Sequence, residues 1–178
     1  MPYVPTIEKL IEDFEEVEPA KQMRLLKEMN IPKEDFEEFA SWEVGGYTRN
    51  CIARHENFEF ILLCWDAGAK TCIHGHDGQS CWVYQVDGSV TEKRFQPIGN
   101  GFELIQDETL DEGDISFMHD QMGYHALENS SSERAMTLHA YVKPIDRCKV
   151  FNEELEQLET VEMSYNTIKG KAVQEVKG

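Results

Sequence analysis

Residues 72–95 read CIHGHDGQSCWVYQVDGSVTEKRF, and their pattern bears on both the fold and the chemistry. Two runs, Cys81 to Val86 and Ser89 to Phe95, read as half-buried strands. Asp87-Gly88 between them predicts a tight two-residue hairpin, because a type I′ turn needs positive φ at both central positions. Upstream, Cys72 to His76 reads as another strand. Side chains two apart on a strand point the same way, so His74 and His76 are expected on one face. Two imidazoles side by side can share a metal ion, but imidazole suits zinc, copper, iron and nickel, so the pair alone names no metal.

The same texture extends from Tyr47 to about Val150. Strands are expected at Phe58 to Trp65, Gly101 to Gln106, Asp114 to Met118, Gly123 to Leu127 and Ala135 to Val142 as well, joined by glycine and acidic turns. Short runs of this kind point to a mainly β fold, an antiparallel barrel or sandwich. Before them, residues 6–43 read as two or three short helices: Ile7, Leu10, Ile11 and Phe14 recur at helical spacing, and Leu25, Leu26 and Met29 mark the next. Pro19 and Pro32 are placed to open the second and third helices, and Gly45-Gly46 closes the region. From Phe151 onward the chain is charged and irregular, with one strand expected near Val161-Glu162-Met163 before it frays. With 178 residues and no internal repeat, a single domain over 1–178 is expected, with helices in 6–43, the β-region in 44–150 and an extension in 151–178.

Composition narrows the classes of partner. With 34 acidic against 17 basic residues the net charge is −17, which opposes binding to polyphosphate backbones and anionic lipid, so no nucleic acid and no membrane partner is expected. The acidic pairs near the N-terminus read as solvated helix faces. No apolar run reaches the length of a membrane span. The first residues, Met1 to Pro5, lack the basic start and apolar stretch of a signal peptide, so a cytoplasmic location is expected. The five cysteines include no C-x-x-C pair, which disfavours a disulfide framework or a thiolate zinc site.

A two-histidine site needs a further ligand from a neighbouring strand. His125 is best placed, lying between apolar neighbours in a strand-turn-strand run. His119 reads as part of the turn and exposed, and His55 as a residue of a polar loop in solvent. Gly68, five residues, His74-x-His76, four residues, Cys81, six residues and Gly88 resemble in spacing the first motif of the cupin superfamily, and His125 with Asn129 resembles the second. Cys81 stands where many cupins carry a glutamate ligand. Three neutral imidazoles leave a divalent ion its full charge, which favours a substrate that brings its own anionic ligand.

Several segments are specifically similar to cysteine dioxygenases: Tyr47-Thr48-Arg49-Asn50, Ile61 to Trp65, Ile73-His74-x-His76, Gly123-x-His125 with Glu128-Asn129, and Leu138-His139-Ala140-Tyr141. The resemblance runs from about Val44 to Tyr165. It implies a cupin-type antiparallel β-barrel, or jelly roll, and ferrous iron, Fe(II), on His74, His76 and His125. It also implies oxidation of L-cysteine by O2 to cysteine sulfinic acid, the second oxidised rung of the cysteine ladder. Arg49 matches the arginine that binds the substrate carboxylate, with Tyr47 beside it. Tyr141 and Cys81 match a pair that animal relatives join by a thioether bond, and retention of Cys81 permits the crosslink here. His139 matches a histidine that orients the phenol, and Thr137 keeps a hydroxyl where relatives have serine, completing a row at alternate positions. Trp65, Met163 and Cys148 match pocket-wall or packing positions. One departure is the Val142-Lys143-Pro144 segment, where animal relatives have Ser-Pro-Pro. The resemblance further implies a small-thiol substrate for a chain expected to be a monomer. The competing readings are a 3-mercaptopropionate dioxygenase, which generally carries glutamine where Arg49 stands, and a non-catalytic cupin that binds a small metabolite.

Overall fold

The computed structural model describes residues 3–173. Three helices open the chain: α1 (Ile7–Glu16), α2 (Pro19–Lys27) and α3 (Lys33–Glu37). Thr6 caps α1 by accepting from the Lys9 backbone N–H at 3.2 Å. Pro19 stands in the first turn of α2, where its missing N–H costs nothing, and Pro32 immediately precedes α3.

Among the described residues twelve strands follow: β1 (Tyr47–Arg54), β2 (Phe58–Trp65), β3 (Ser80–Asp87), β4 (Val90–Ile98), β5 (Gly101–Leu110), β6 (Ile115–Met118), β7 (Tyr124–Glu128), β8 (Ala135–Val142), β9 (Arg147–Asn152), β10 (Gln157–Glu162), β11 (Thr167–Ile168) and β12 (Lys171–Ala172). They form a seven-stranded sheet in the order β12-β11-β1-β2-β8-β3-β6, a three-stranded sheet β5-β4-β7, and a two-stranded ribbon β10-β9. This is the mainly β, cupin-type arrangement that the resemblance implies.

β2 is buried along its whole length because both its faces are covered. Phe58, Phe60, Leu62 and Cys64 pack outward against Leu10, Phe14, Leu26 and Phe36 of the helices, with Phe14 set edge-on to Phe60 at 4.8 Å. Ile61, Leu63 and Trp65 face inward with Cys81, Val83, Leu127 and Tyr141. Burying each large side chain of this kind stabilises by roughly 1.5–3 kcal/mol. The unbroken apolar run of β2 therefore reflects a strand sandwiched between the helices and the barrel interior.

Three expectations need correction. The Asp87-Gly88 turn does not make a hairpin: β3 pairs with β8 and β6, while β4 pairs with β5 and β7. The turn instead carries the chain from one sheet to the other. Gly88 has φ of 69°, and a Cβ there would lie 2.9 Å from the Arg134 carbonyl oxygen, so glycine is required by a close backbone approach. Second, the β-region expected from Tyr47 onward opens on a full strand not among those expected, β1 at Tyr47–Arg54, paired antiparallel with β2 across a register shift between Cys51 and Ala53. Third, residues beyond Phe151 are more ordered than expected. β9 and β10 pair over six positions, and β11 pairs parallel to β1. Residues 174–178 of the expected fraying end lie outside the described residues. The departure at Val142-Lys143-Pro144 takes a defined course, with Lys143 at φ 72° and its N–H donated to the Asn57 carbonyl at 2.9 Å. No helix among the described residues is long and apolar enough to cross a membrane.

Candidate metal centre and substrate cavity

A cavity of about 300 Å³ opens on the inner face of the large sheet. Its lining includes Arg49, His74, His139, Tyr141, Cys148 and Met163. Cys72 to His76 is not a strand, contrary to the sequence reading. It is a loop held from both sides: His74 exchanges two backbone hydrogen bonds with His125 of β7, at 2.9 and 3.1 Å, and Gly75 N–H donates to the Lys149 carbonyl of β9. The Asp120 carboxylate accepts the backbone N–H groups of both His76 and Gly78 at 2.6 Å. A Cβ on Gly75 would sit 3.1 Å from Asp120 Oδ1, so the middle residue of His-Gly-His has little room to grow.

This loop brings together the three histidines that the sequence singled out. Ring centroids are 5.5 Å apart for His74 and His76, and 4.7 Å for His125 with either partner. One nitrogen from each ring lies within 4.8 Å of the others, and the Nε2 atoms of His76 and His125 are 3.0 Å apart. Two nitrogens each about 2.1 Å from one ion and at right angles would be about 3.0 Å apart, so this spacing fits adjacent ligands of a single metal. The far side of each ring agrees. His74 Nδ1 lies 2.9 Å from the Cys72 carbonyl, which can only accept, so Nδ1 carries the proton and Nε2 is left as a donor of electrons. His76 Nδ1 is buried without a partner, and the nearest carboxylate oxygen, on Asp120, is 3.9 Å away. Desolvation first, and then the neighbouring His125, pull His74 down to about 3 and His76 well below its ordinary value. Neutral rings are the metal-binding form.

Sequence reasoning missed Glu92. Its side chain is 1% exposed, and Oε1 lies 2.7 Å from His125 Nδ1. Oε2 accepts from the Ser116 hydroxyl at 2.5 Å and from Arg94 at 3.2 Å. Burial opposes ionisation here, but the His125, Ser116 and Arg94 contacts outweigh it and hold Glu92 at about 2. Alternation along β4 puts Val90 and Glu92 on the same buried face, but nothing in the local sequence marks the carboxylate as the side chain that turns inward.

The Thr137, His139, Tyr141 row stands on one face of β8. The Trp65 indole N–H donates to the Thr137 hydroxyl at 2.9 Å, and the same hydroxyl lies 2.9 Å from His139 Nε2. His139 Nδ1 lies 3.9 Å from Cys81 Sγ, and Cys81 of β3 is the register partner of Tyr141. Burial first, and then the nearby His125 and His74 rings, hold His139 well below its ordinary value. Burial and the adjacent Cys81 push the Tyr141 phenol well up. Both groups are therefore neutral near pH 7. Tyr47 stacks on Trp65 at 5.0 Å at the cavity edge.

Arg49 is fixed by Nη1, which donates to the Ser164 carbonyl at 2.5 Å, and its guanidinium lies over the Tyr165 ring. Its Nη2 is buried without a partner. His119 lies in the turn as expected, immediately before the short helical turn Asp120–Met122, but it is half-buried rather than exposed, and its Nδ1 accepts the Gln121 N–H at 3.1 Å. His55 is only partly exposed, stacked at 4.7 Å on Phe58. Neither belongs to the histidine cluster.

Comparison with known proteins agrees with this geometry. The family model described as Cysteine dioxygenase type I matches residues 2–154, so the match takes in the N-terminal helices. Cysteine dioxygenase type 1 of Danio rerio is 26% identical over 172 residues, covering 90% of this chain and 86% of its own. The Rattus norvegicus protein of the same name is 30% identical over 134 residues, covering 72% and 67%. A crystal structure of a Thermus thermophilus protein is alike in fold, with a TM-score of 0.51 at 20% identity, covering 62% of this chain and 96% of that one. Helices, barrel and histidine cluster thus fall within one continuous match, and the chain belongs to the cysteine dioxygenase type I family.

Proposed function

We propose that this chain oxidises L-cysteine with O2 to cysteine sulfinic acid, using ferrous iron held by His74, His76 and His125. The observation that carries this reading is Arg49 Nη2, a buried cationic donor with no protein partner on a guanidinium that lines the histidine cavity. Leaving such a donor unpaired costs about 1–3 kcal/mol or more, and a substrate carboxylate removes that cost. The iron, when bound, supplies the redox capacity that lets O2 combine with a thiol sulfur. Both oxygen atoms enter the product and no other oxidant is consumed.

The remaining residues bind, orient and exclude water. Arg49 holds the carboxylate and so fixes which part of the substrate reaches the histidines. Tyr141, neutral because burial disfavours its phenolate, keeps an O–H to donate toward the reacting oxygen or the carboxylate. We assign to His139, held by Thr137 and through it by Trp65, the orienting of that phenol from the alternate position on β8. Leu63, Ile145 and Met163 line the cavity and keep bulk water from the sulfur. In this reading Cys81, the register partner of Tyr141, supplies the sulfur of a thioether bond to the phenol ring. The same reading has a cytoplasmic monomer acting on a free small molecule.

The test is iron-loaded protein with L-cysteine under labelled O2, with the product identified by mass spectrometry. A sulfinate carrying both labelled oxygens is the expected result, and intact-protein mass reads the thioether as the loss of two hydrogens. Absence of sulfinate would overturn the activity, and faster turnover of 3-mercaptopropionate than of cysteine would overturn the substrate.

A further inference from the structure

We propose that Glu92 is the positioning residue of the metal site: it holds His125 with its proton on Nδ1 and places a buried negative charge directly behind that ring. The proposal deepens the reading above and rests on it, since it takes the three histidines to be the metal ligands.

The two carboxylate oxygens have separate tasks. Oε2 faces donors only: Ser116 Oγ at 2.5 Å, Arg94 Nη2 at 3.2 Å and Arg94 Nε at 3.3 Å. Arg94 is itself held by the Ser116 hydroxyl at 2.9 Å and the Phe117 carbonyl at 2.8 Å, so contacts from β4 to β6 fix the rotation of the carboxylate. Oε1 is left for His125 Nδ1 alone, at 2.7 Å. An ionised carboxylate oxygen only accepts, so the imidazole must donate from Nδ1 and present Nε2 toward the other histidines.

Among the three ligand rings this support is unique to His125. His74 leans on a neutral backbone carbonyl, and His76 Nδ1 has no partner. A ligand set of three neutral imidazoles therefore has one charged outer partner. It acts on the ring that also bridges by backbone to His74 and lies closest to His76. A hydrogen-bonded carboxylate behind a ligand histidine raises the basicity of that ligand and partly offsets the charge of the ion.

The same geometry defines a decisive substitution. In Glu92→Gln the Oε2 position is still surrounded by donors, so the amide oxygen takes it and the amide NH2 turns toward His125. That group donates, which forces Nδ1 to accept and moves the ring proton to Nε2, the atom that should meet the metal. A purely structural ion pair between Glu92 and Arg94 would produce no such reversal.

The experiment is nitrogen-15 NMR of the His125 ring in metal-free full-length protein, followed by titration with ferrous iron without oxygen. The wild type should carry its proton on Nδ1, and Glu92→Gln should carry it on Nε2. Ferrous affinity should fall by about 10–100-fold in the variant, and the ferric/ferrous potential should rise because a nearby negative charge is gone. Ser116→Ala keeps the carboxylate and loosens it, and should shift affinity the same way by less. An unchanged tautomer in Glu92→Gln, or unchanged affinity and potential in both variants, would overturn the role of Glu92. Failure of the wild type to bind iron through the three histidines would overturn the metal reading itself, and is distinguished because the tautomer is read before any metal is added.

Discussion

On the histidine side of the cavity the backbone leaves regular pairing at residues 72–79, whereas Thr137, His139 and Tyr141 opposite stand on an unbroken ladder between β2 and β3. The histidine side is held by specific ties: Asp120 to two backbone amides, the Cys72 carbonyl to His74, and Glu92 to His125. The β8 side is positioned by sheet register, with hydrogen bonds running from Trp65 through Thr137 to His139. Charge divides the same way, for the β8 row is neutral while Glu92 backs one histidine and Arg49 brings a cation to the cavity edge. A regular strand can set three groups at fixed intervals, but it cannot converge three rings on one point. That convergence needs a loop.

If the two sides are separable, Arg49→Ala should disable substrate capture and leave metal binding alone. Each charge-assisted hydrogen bond to a carboxylate is worth about 1.5–3 kcal/mol, so losing a two-point contact should raise KM for cysteine by about 100-fold or more. Iron content per chain should stay at the wild-type level. Steady-state kinetics with metal analysis on the same sample checks both. A parallel fall in iron content would show that Arg49 also supports the histidine side and would break the comparison.

A smaller effect probes the β8 row itself. Thr137→Val keeps the shape but removes the hydroxyl shared by the Trp65 indole and His139 Nε2. Two buried groups then lose a partner at about 1–3 kcal/mol each, giving a destabilisation of about 3 kcal/mol by urea unfolding, with turnover reduced because the phenol is less well oriented. Iron affinity close to wild type would sharpen the contrast between a stability-bearing row and a metal-bearing loop.

The two sides also differ in how far they can be read from sequence. The row at 137, 139 and 141 follows from period-two alternation, which needs only that β8 be a strand. His74 and His76 were identified through strand geometry that the loop does not have; the pairing of His74 with both His125 and Val150 depends on neighbours distant in the chain. The Asp87-Gly88 signal misled for a related reason. The turn has the expected glycine, but packing against Arg134 and Ala135 sends its two strands to different sheets. Glu92 was illegible because local sequence does not say which polar residue of a strand is buried. Its environment comes from Ser116, Arg94 and His125, which meet only when β4, β6 and β7 are assembled.

The smallest expected effect is a pH dependence carried by His139. Burial first, and then the neighbouring histidine rings, keep this ring neutral well below its ordinary value of 6.5, whereas in the unfolded chain it takes up a proton near that value. The unfolded state therefore binds the extra proton, and stability must fall as pH falls below the unfolded value. One such group costs about 2 kcal/mol between roughly pH 7 and pH 5. Urea unfolding of chelator-treated wild type and His139→Gln across this range isolates the contribution, because His74 and His76 titrate in both proteins and cancel in the difference. The variant should lose less stability on acidification by about that amount. Identical pH slopes would mean that His139 is already protonated or solvated in the fold, and the β8 row would no longer be the neutral counterpart of the charged, loop-built side.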